Sequence, residues 1–164
     1  MILFLDTEFT DFLDCQLLSL GAISQDGQHS LYIEVADFDR AKCSAFVWEA
    51  VLPQLGRVPE AITRKDQVRE RLLAFFASLP RSVQIAVDSQ YDCNLLYDSL
   101  DGKWPPNLDG WIDLNAINDL EAFRLGVARF RRKTGKPLHH ALFDAEAHRA
   151  GWLSWNDRRA RRVW

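Results

Sequence analysis

Met1-Ile2-Leu3-Phe4-Leu5-Asp6-Thr7-Glu8 opens the chain, five apolar residues running straight into two carboxylates that bracket a threonine. An unbroken apolar run of this length, rich in β-formers, fits a strand buried on both faces. Side chains alternate along a strand, so Asp6 and Glu8 project together from its end. Two carboxylates that close repel unless a cation neutralises them. Hard oxygen ligands of this kind suit Mg²⁺ or Mn²⁺. The bland alternative is a polar strand end with one carboxylate capping the next turn.

Working outward, Cys15–Ser24 reads as a second strand, Asp26-Gly27 as a hairpin turn, and Ser30–Val35 as a third strand by its alternation. A short helix is expected over Ala45–Leu52, ended by Pro53, and an amphipathic helix over Arg64–Leu79 with Thr63 as its cap and Pro80 as its stop. Val83–Val87 is another buried-type strand, followed by a helix over Tyr91–Leu100 and a Pro/Gly loop over Asp101–Gly110. A short strand at Trp111–Leu114, a helix over Leu120–Lys133 and a last helical region over Ala141–Trp155 complete the pattern. Three antiparallel strands, then helices alternating with two parallel strands, define a mixed α/β sheet flanked by helices. With no repeat or linker, the 164 residues are expected to form a single domain.

Composition narrows the classes. At 48% hydrophobic and 26% charged residues the chain is ordinary for a globular protein. No apolar run approaches the ~20 residues that cross a bilayer, so no membrane association is expected. No basic segment precedes an apolar leader, and Cys15, Cys43 and Cys93 form no CxxC pair, so buried thiols in a reducing cytoplasm are expected. A net charge of −3 argues against a protein that simply coats nucleic acid. Yet Arg124, Arg129, Arg131, Arg132, Lys133 and Lys136 crowd one segment and Arg158, Arg159, Arg161 and Arg162 another. These are solvated helix faces, or the basic surfaces that a metal-dependent enzyme on a phosphate polymer needs beside its acidic pocket.

Further acids and histidines stand out. Asp88 ends a strand, where it is expected to cap the next helix. Asp92, one turn later, has no such structural excuse. His139-His140-Ala141-Leu142-Phe143-Asp144-Ala145 places an acid among apolar residues, where it needs a partner, beside imidazoles able to accept a proton near neutral pH.

These stretches resemble, in order and across almost the whole chain, the motifs of the DEDD superfamily of 3′–5′ exonucleases in its histidine-containing DEDDh branch. Leu3–Glu8 is similar to the first motif, Tyr91-Asp92 with Leu95 and Leu96 to the second, and His139–Ala145 to the third, His-x-Ala-Leu-x-Asp-Ala. The small size resembles compact bacterial exoribonucleases, including the mycobacterial exoribonuclease-like branch. The resemblance implies a ribonuclease H-like fold and two divalent ions, Mg²⁺ or Mn²⁺, held by Asp6, Glu8, Asp92 and Asp144, with Asp6 bridging. It implies His139 as general base, although helix spacing alone favours His140 or His148, each four residues from Asp144. Many relatives carry asparagine where Asp88 stands.

By the same resemblance, Phe9 and Thr10 contact the terminal nucleotide, and Leu18 wedges against its base or is a core residue. Trp48 and Trp152 read as core or interface residues and Trp104 as a surface one. The implied partner is single-stranded nucleic acid, RNA before DNA. A homodimer contact or an RNA-facing arm is expected from Trp155 to Trp164. Two other classes compete: a non-catalytic nucleic-acid-binding module on the same fold, and a haloacid dehalogenase-like phosphatase. The latter needs Asp-x-Asp, where Glu8 stands second, and a later acidic pair with no suitable match.

Overall fold

The structure, a computed structural model, describes residues 1–161. Among the described residues, six strands make one sheet: β1 (Ile2–Phe9), β2 (Leu17–Ser24), β3 (Ser30–Val35), β4 (Ile62–Thr63), β5 (Val83–Val87) and β6 (Leu108–Asp113), in the order β4-β3-β2-β1-β5-β6. β1 runs antiparallel to β2, and β2 to β3, whereas β5 joins β1 in parallel and β6 joins β5 in parallel. Four helices cover it: α1 (Lys65–Ser78), α2 (Gln90–Ser99), α3 (Glu121–Thr134) and α4 (Ala141–Ala160). The mixed α/β sheet expected from the sequence is therefore present. No helix among the described residues is long and apolar enough to cross a membrane.

The alternation of β1 divides the core. Leu3 and Leu5 pack with Val68, Leu72 and Phe76 of α1 and Cys93 and Leu96 of α2. Phe4 faces the other way, toward Phe123 of α3 and Ala145 and Trp152 of α4. The same parity sends Asp6 and Glu8 toward the α3–α4 layer and Thr7 toward α2. Burying these apolar side chains contributes roughly 1.5–3 kcal/mol each, so the register of β1, and with it the aim of its carboxylates, is strongly fixed.

Four expectations need correction. Thr63 is not a helix cap: with Ile62 it forms β4, pairing in parallel with Glu34 and Val35. The first turn of α1 is capped from a distance by Asp37, whose Oδ1 accepts the Lys65 amide at 2.7 Å. The short helix before Pro53 is π-helical over Val47–Val51 and tightens to a 3₁₀ turn over Leu52–Gln54, since proline has no amide to donate. β6 starts three residues before Trp111 and stops at Asp113, whose carboxylate accepts the Asn115 amide at 2.8 Å and turns the chain. As an edge strand with one face open, it carries little hydrophobic alternation to read. Lastly, of the three free cysteines only Cys93 is buried; Cys15 and Cys43 are partly exposed.

Candidate metal centre

β1 presents the side chains of Asp6 and Glu8 to the start of α4. That helix can approach because the ladder partner of Asp6 on β2 is Gly21. A Cβ at Gly21 would overlap the backbone of Ala141 and Leu142. The glycine thus lets the first turn of α4, and Asp144 within it, land beside β1. One ligand oxygen each from Asp6, Glu8 and Asp144 lies within 4.8 Å of the others. A second grouping at the same spacing joins Asp6 to Asp88 and His148.

Asp92 takes a different place. It comes from α2, behind β1, and its Oδ1 accepts both the Thr7 amide at 3.0 Å and the Thr7 hydroxyl at 2.6 Å. Its other oxygen is buried with no hydrogen-bond partner. The structure brings Asp6, Glu8 and Asp144 together in one grouping and leaves Asp92 just outside it, with one oxygen uncommitted.

Electrostatics mark the cluster as overcharged. Burial, then the charges of Asp92, Asp144, Glu8 and Asp88, hold the Asp6 carboxyl well above its ordinary range. Burial and the neighbouring Asp144 and Asp92 push Glu8 up to about 8. Asp92 rises to about 7, burial prevailing over the hydrogen bonds from Thr7 that oppose it. Against this charge, Arg131 of α3 forms an ion pair with Asp144 Oδ1. The other Asp144 oxygen accepts the His140 amide at 3.1 Å. All-oxygen donors, excess negative charge and the unpartnered Asp92 oxygen fit a hard divalent cation.

The histidines separate by environment. His140 is buried, stacked between Phe143 at 3.7 Å and Tyr32 at 4.5 Å, and burial pushes its imidazole below the ordinary value. His139 precedes α4 as the loop reading requires. Its φ is 61°, a left-handed conformation that costs a non-glycine residue on the order of 1 kcal/mol. Its ring meets the edge of Phe46 at 4.8 Å. His148 pairs through Nε2 with Asp88 at 3.2 Å.

Asp88 accordingly does not cap α2; Ser89 does, accepting the Tyr91 amide at 3.1 Å. The Asp88 carboxyl sits below its ordinary range: burial acts to raise it, but the hydrogen bond and charge of His148 outweigh that.

Among the other sequence candidates, Phe9 stacks on Tyr91 at 5.4 Å, and the exposed Phe12 packs edge-on against both. Thr10 is buried: its hydroxyl donates to Asp14 O and accepts the Gln16 amide, stapling the turn after β1. Leu18 is fully buried with Val47 and Val51 and offers no surface to a base. Trp152 packs on Phe4, whereas Trp48 is half exposed over Arg40 rather than core. Trp104 is exposed beside Tyr97. Residues up to Arg161 of the basic tail are described; Arg162, Val163 and Trp164 lie outside the described residues.

Sequence reasoning missed Arg131, absorbed into a run of basic residues, and Tyr91 and Phe12 as companions of Phe9. Helical spacing held the signal for Arg131, which falls on the same stripe of α3 as Phe123 and Val127, facing α4.

The arrangement defines an α/β protein with an acidic centre at the end of its central strand. No family model and no curated protein matches the sequence. A solved structure does share the fold: that of a full-length 3′-exonuclease, which superposes with a TM-score of 0.58 over 95% of this chain and 82% of that one, at 13% identity.

Proposed function

We propose that this chain is a metal-dependent 3′–5′ exonuclease of the DEDDh kind. Its substrate in this reading is single-stranded RNA or short oligoribonucleotides, cut to nucleoside 5′-monophosphates. The observation that carries the reading is the convergence of Asp6, Glu8 and Asp144, overcharged and aimed at one point. The shared fold of a 3′-exonuclease and the order of the three motifs support it.

Asp6, Glu8 and Asp144, with the free oxygen of Asp92, would hold two divalent cations. Ions at such a site stabilise negative charge on the attacking and leaving oxygens of a phosphodiester displacement. His139 takes a proton from the attacking water, whose oxygen bonds to phosphorus as the 3′-oxygen of the preceding nucleotide departs and is protonated. His140 is poorly suited to that role, because Tyr32 and Phe143 cover both faces of its ring. Phe9, with Tyr91 and Phe12, offers aromatic faces on which a terminal base stacks. Thr10 and Leu18 would act only by shaping the turn and the core beneath. Preference for RNA rests on the resemblance to compact exoribonucleases.

The test is a gel assay on 5′-labelled single-stranded RNA and the matching DNA with Mn²⁺, Mg²⁺ or EDTA, alongside Asp6→Ala. A metal-dependent ladder shortening from the 3′ end, absent in the variant, is expected, stronger on RNA. Intact strands that the protein nonetheless retards would leave a binding module in place of an enzyme. A ladder on DNA alone would reassign the substrate.

A further inference from the structure

Gln54 is a buried polar residue that the chemistry above does not use, 8% exposed and far in sequence from the motifs. Its Nε2 lies 2.5 Å from Leu138 O, 3.0 Å from His139 O and 2.9 Å from Ala50 O. An amide nitrogen has two hydrogens, so the three carbonyls share them. Turning the amide over would aim its oxygen at three carbonyl oxygens, so the donor orientation is fixed by repulsion. The Oε1 atom is then left buried without a hydrogen-bond partner. A buried acceptor left bare is costly and is kept where the opposite end of the group is needed.

The two remote carbonyls that Gln54 grips flank the strained residue, His139, at φ 61°. The same irregular helical segment supplies Phe46, whose ring meets the His139 imidazole edge-on, at 88° between planes. A regular α-helix through Val47–Val51 would turn residues 46 and 54 differently relative to each other. The π-helical turn widens the backbone and lets both side chains face the loop before α4.

We propose that residues 46–54 form a bracket that presents His139, with Gln54 as a positioning residue that holds its backbone in the left-handed conformation and Phe46 limiting the swing of its ring. This rests on the exonuclease reading for the role of His139, but the geometric claim stands apart from it. Without Gln54, the Leu138–His139 segment relaxes to an extended conformation and the imidazole leaves its place. Proton transfer is sensitive to such displacement, a shift near 1 Å costing about 100-fold.

The test uses Gln54→Met, close in volume but without a donor, and Gln54→Asn, which keeps the amide but shortens its reach. On single-stranded RNA, Gln54→Met is expected to lower kcat about 10- to 100-fold with KM within about twofold of the parent. In a His139→Ala background the same change is expected to alter kcat by less than about twofold, because there is no imidazole left to position. In parallel, the ring C–H signals of His139 are followed by NMR; they are expected to move in both variants as the imidazole shifts away from Phe46, with those of His29 unmoved. Should the parent show no nuclease activity, the exonuclease reading fails, and the NMR signals alone judge the bracket. The proposal is overturned by unmoved His139 signals, or by an equal loss of kcat with and without His139. If Gln54→Met does not fold, Gln54→Asn carries the same comparisons.

Discussion

Three carboxyls of the acidic centre titrate far from their ordinary range, and the sign of the consequence is fixed. Asp6, Glu8 and Asp92 all have raised values in the folded chain, Glu8 to about 8 and Asp92 to about 7. Between the unfolded carboxylate range, about 4, and those folded values, the native state binds more protons than the unfolded one. The contribution of these three groups to metal-free stability therefore falls as pH rises from about 4.5 to about 8, the reverse of the usual rise for paired carboxylates. Thermal unfolding in EDTA across that range is expected to show it, and saturating Mn²⁺ to flatten the slope by neutralising the same charges. Asp6→Asn removes the most crowded charge, so it is expected to raise the metal-free Tm near pH 8 by about 2–5 °C. It is also expected to abolish the rise in Tm on adding Mn²⁺. The parity of Asp6 and Glu8 was legible in the sequence because strand alternation is strict. The ion pair from Arg131 was not, because a charge on a helix reveals its partner only when the facing helix is known.

At the scale of elements, the close approach of α4 to β2 depends on one missing side chain. Gly21→Ala would drive a methyl into the backbone of Ala141 and Leu142, with no flexible side chain to yield. Overpacking of this kind costs about 1–3 kcal/mol, more where backbone must move. Chemical denaturation of Gly21→Ala is expected to show at least that loss, and isothermal titration a weaker Mn²⁺ affinity, since Asp144 rides on the displaced helix. A variant as stable and as tight-binding as the parent would show that α4 is not held by this contact. β5 and the last three helices were readable from apolar periodicity and from Pro and Gly breaks. β4 was not: two residues carry no period, and its place comes from pairing with β3. The π-helical turn was equally hidden, since its apolar spacing resembles that of a short α-helix.

For the molecule as a whole, charge is separated by surface. The acidic centre sits at the end of β1, while α3 and α4 enclose a shallow groove lined by Arg129, Lys133, Arg158 and Arg161, with Asp157 among them. Arg158 is paired with Glu121, which leaves Arg129, Lys133 and Arg161 as the groove's better candidates for phosphate, the first two on α3. In the exonuclease reading, Arg129→Glu with Lys133→Glu is expected to weaken binding of a single-stranded oligonucleotide. It should also flatten the dependence of log Kd on log salt by roughly 0.7 for each phosphate no longer neutralised, measured by fluorescence anisotropy. An unchanged slope would place the strand elsewhere. Charge clusters were visible in the sequence, but which cations face a groove depends on how α3 and α4 cross, through the small residues Gly126, Ala150 and Gly151.

The order in which the chain closes its sheet also matters to a protein read as an RNA-degrading enzyme. Asp6 lies in the first strand and Asp144 in the last helix, while β5, which pairs with β1, comes from the middle of the chain. A growing polypeptide thus emerges with half of its acidic centre and carries it unpartnered until α4 has been made. Folding that waits on such distant contacts is slow to begin and late to finish. In that reading synthesis itself acts as a safety catch: beside a ribosome, a machine built largely of RNA, the nascent chain stays harmless until α4 brings Asp144 to β1.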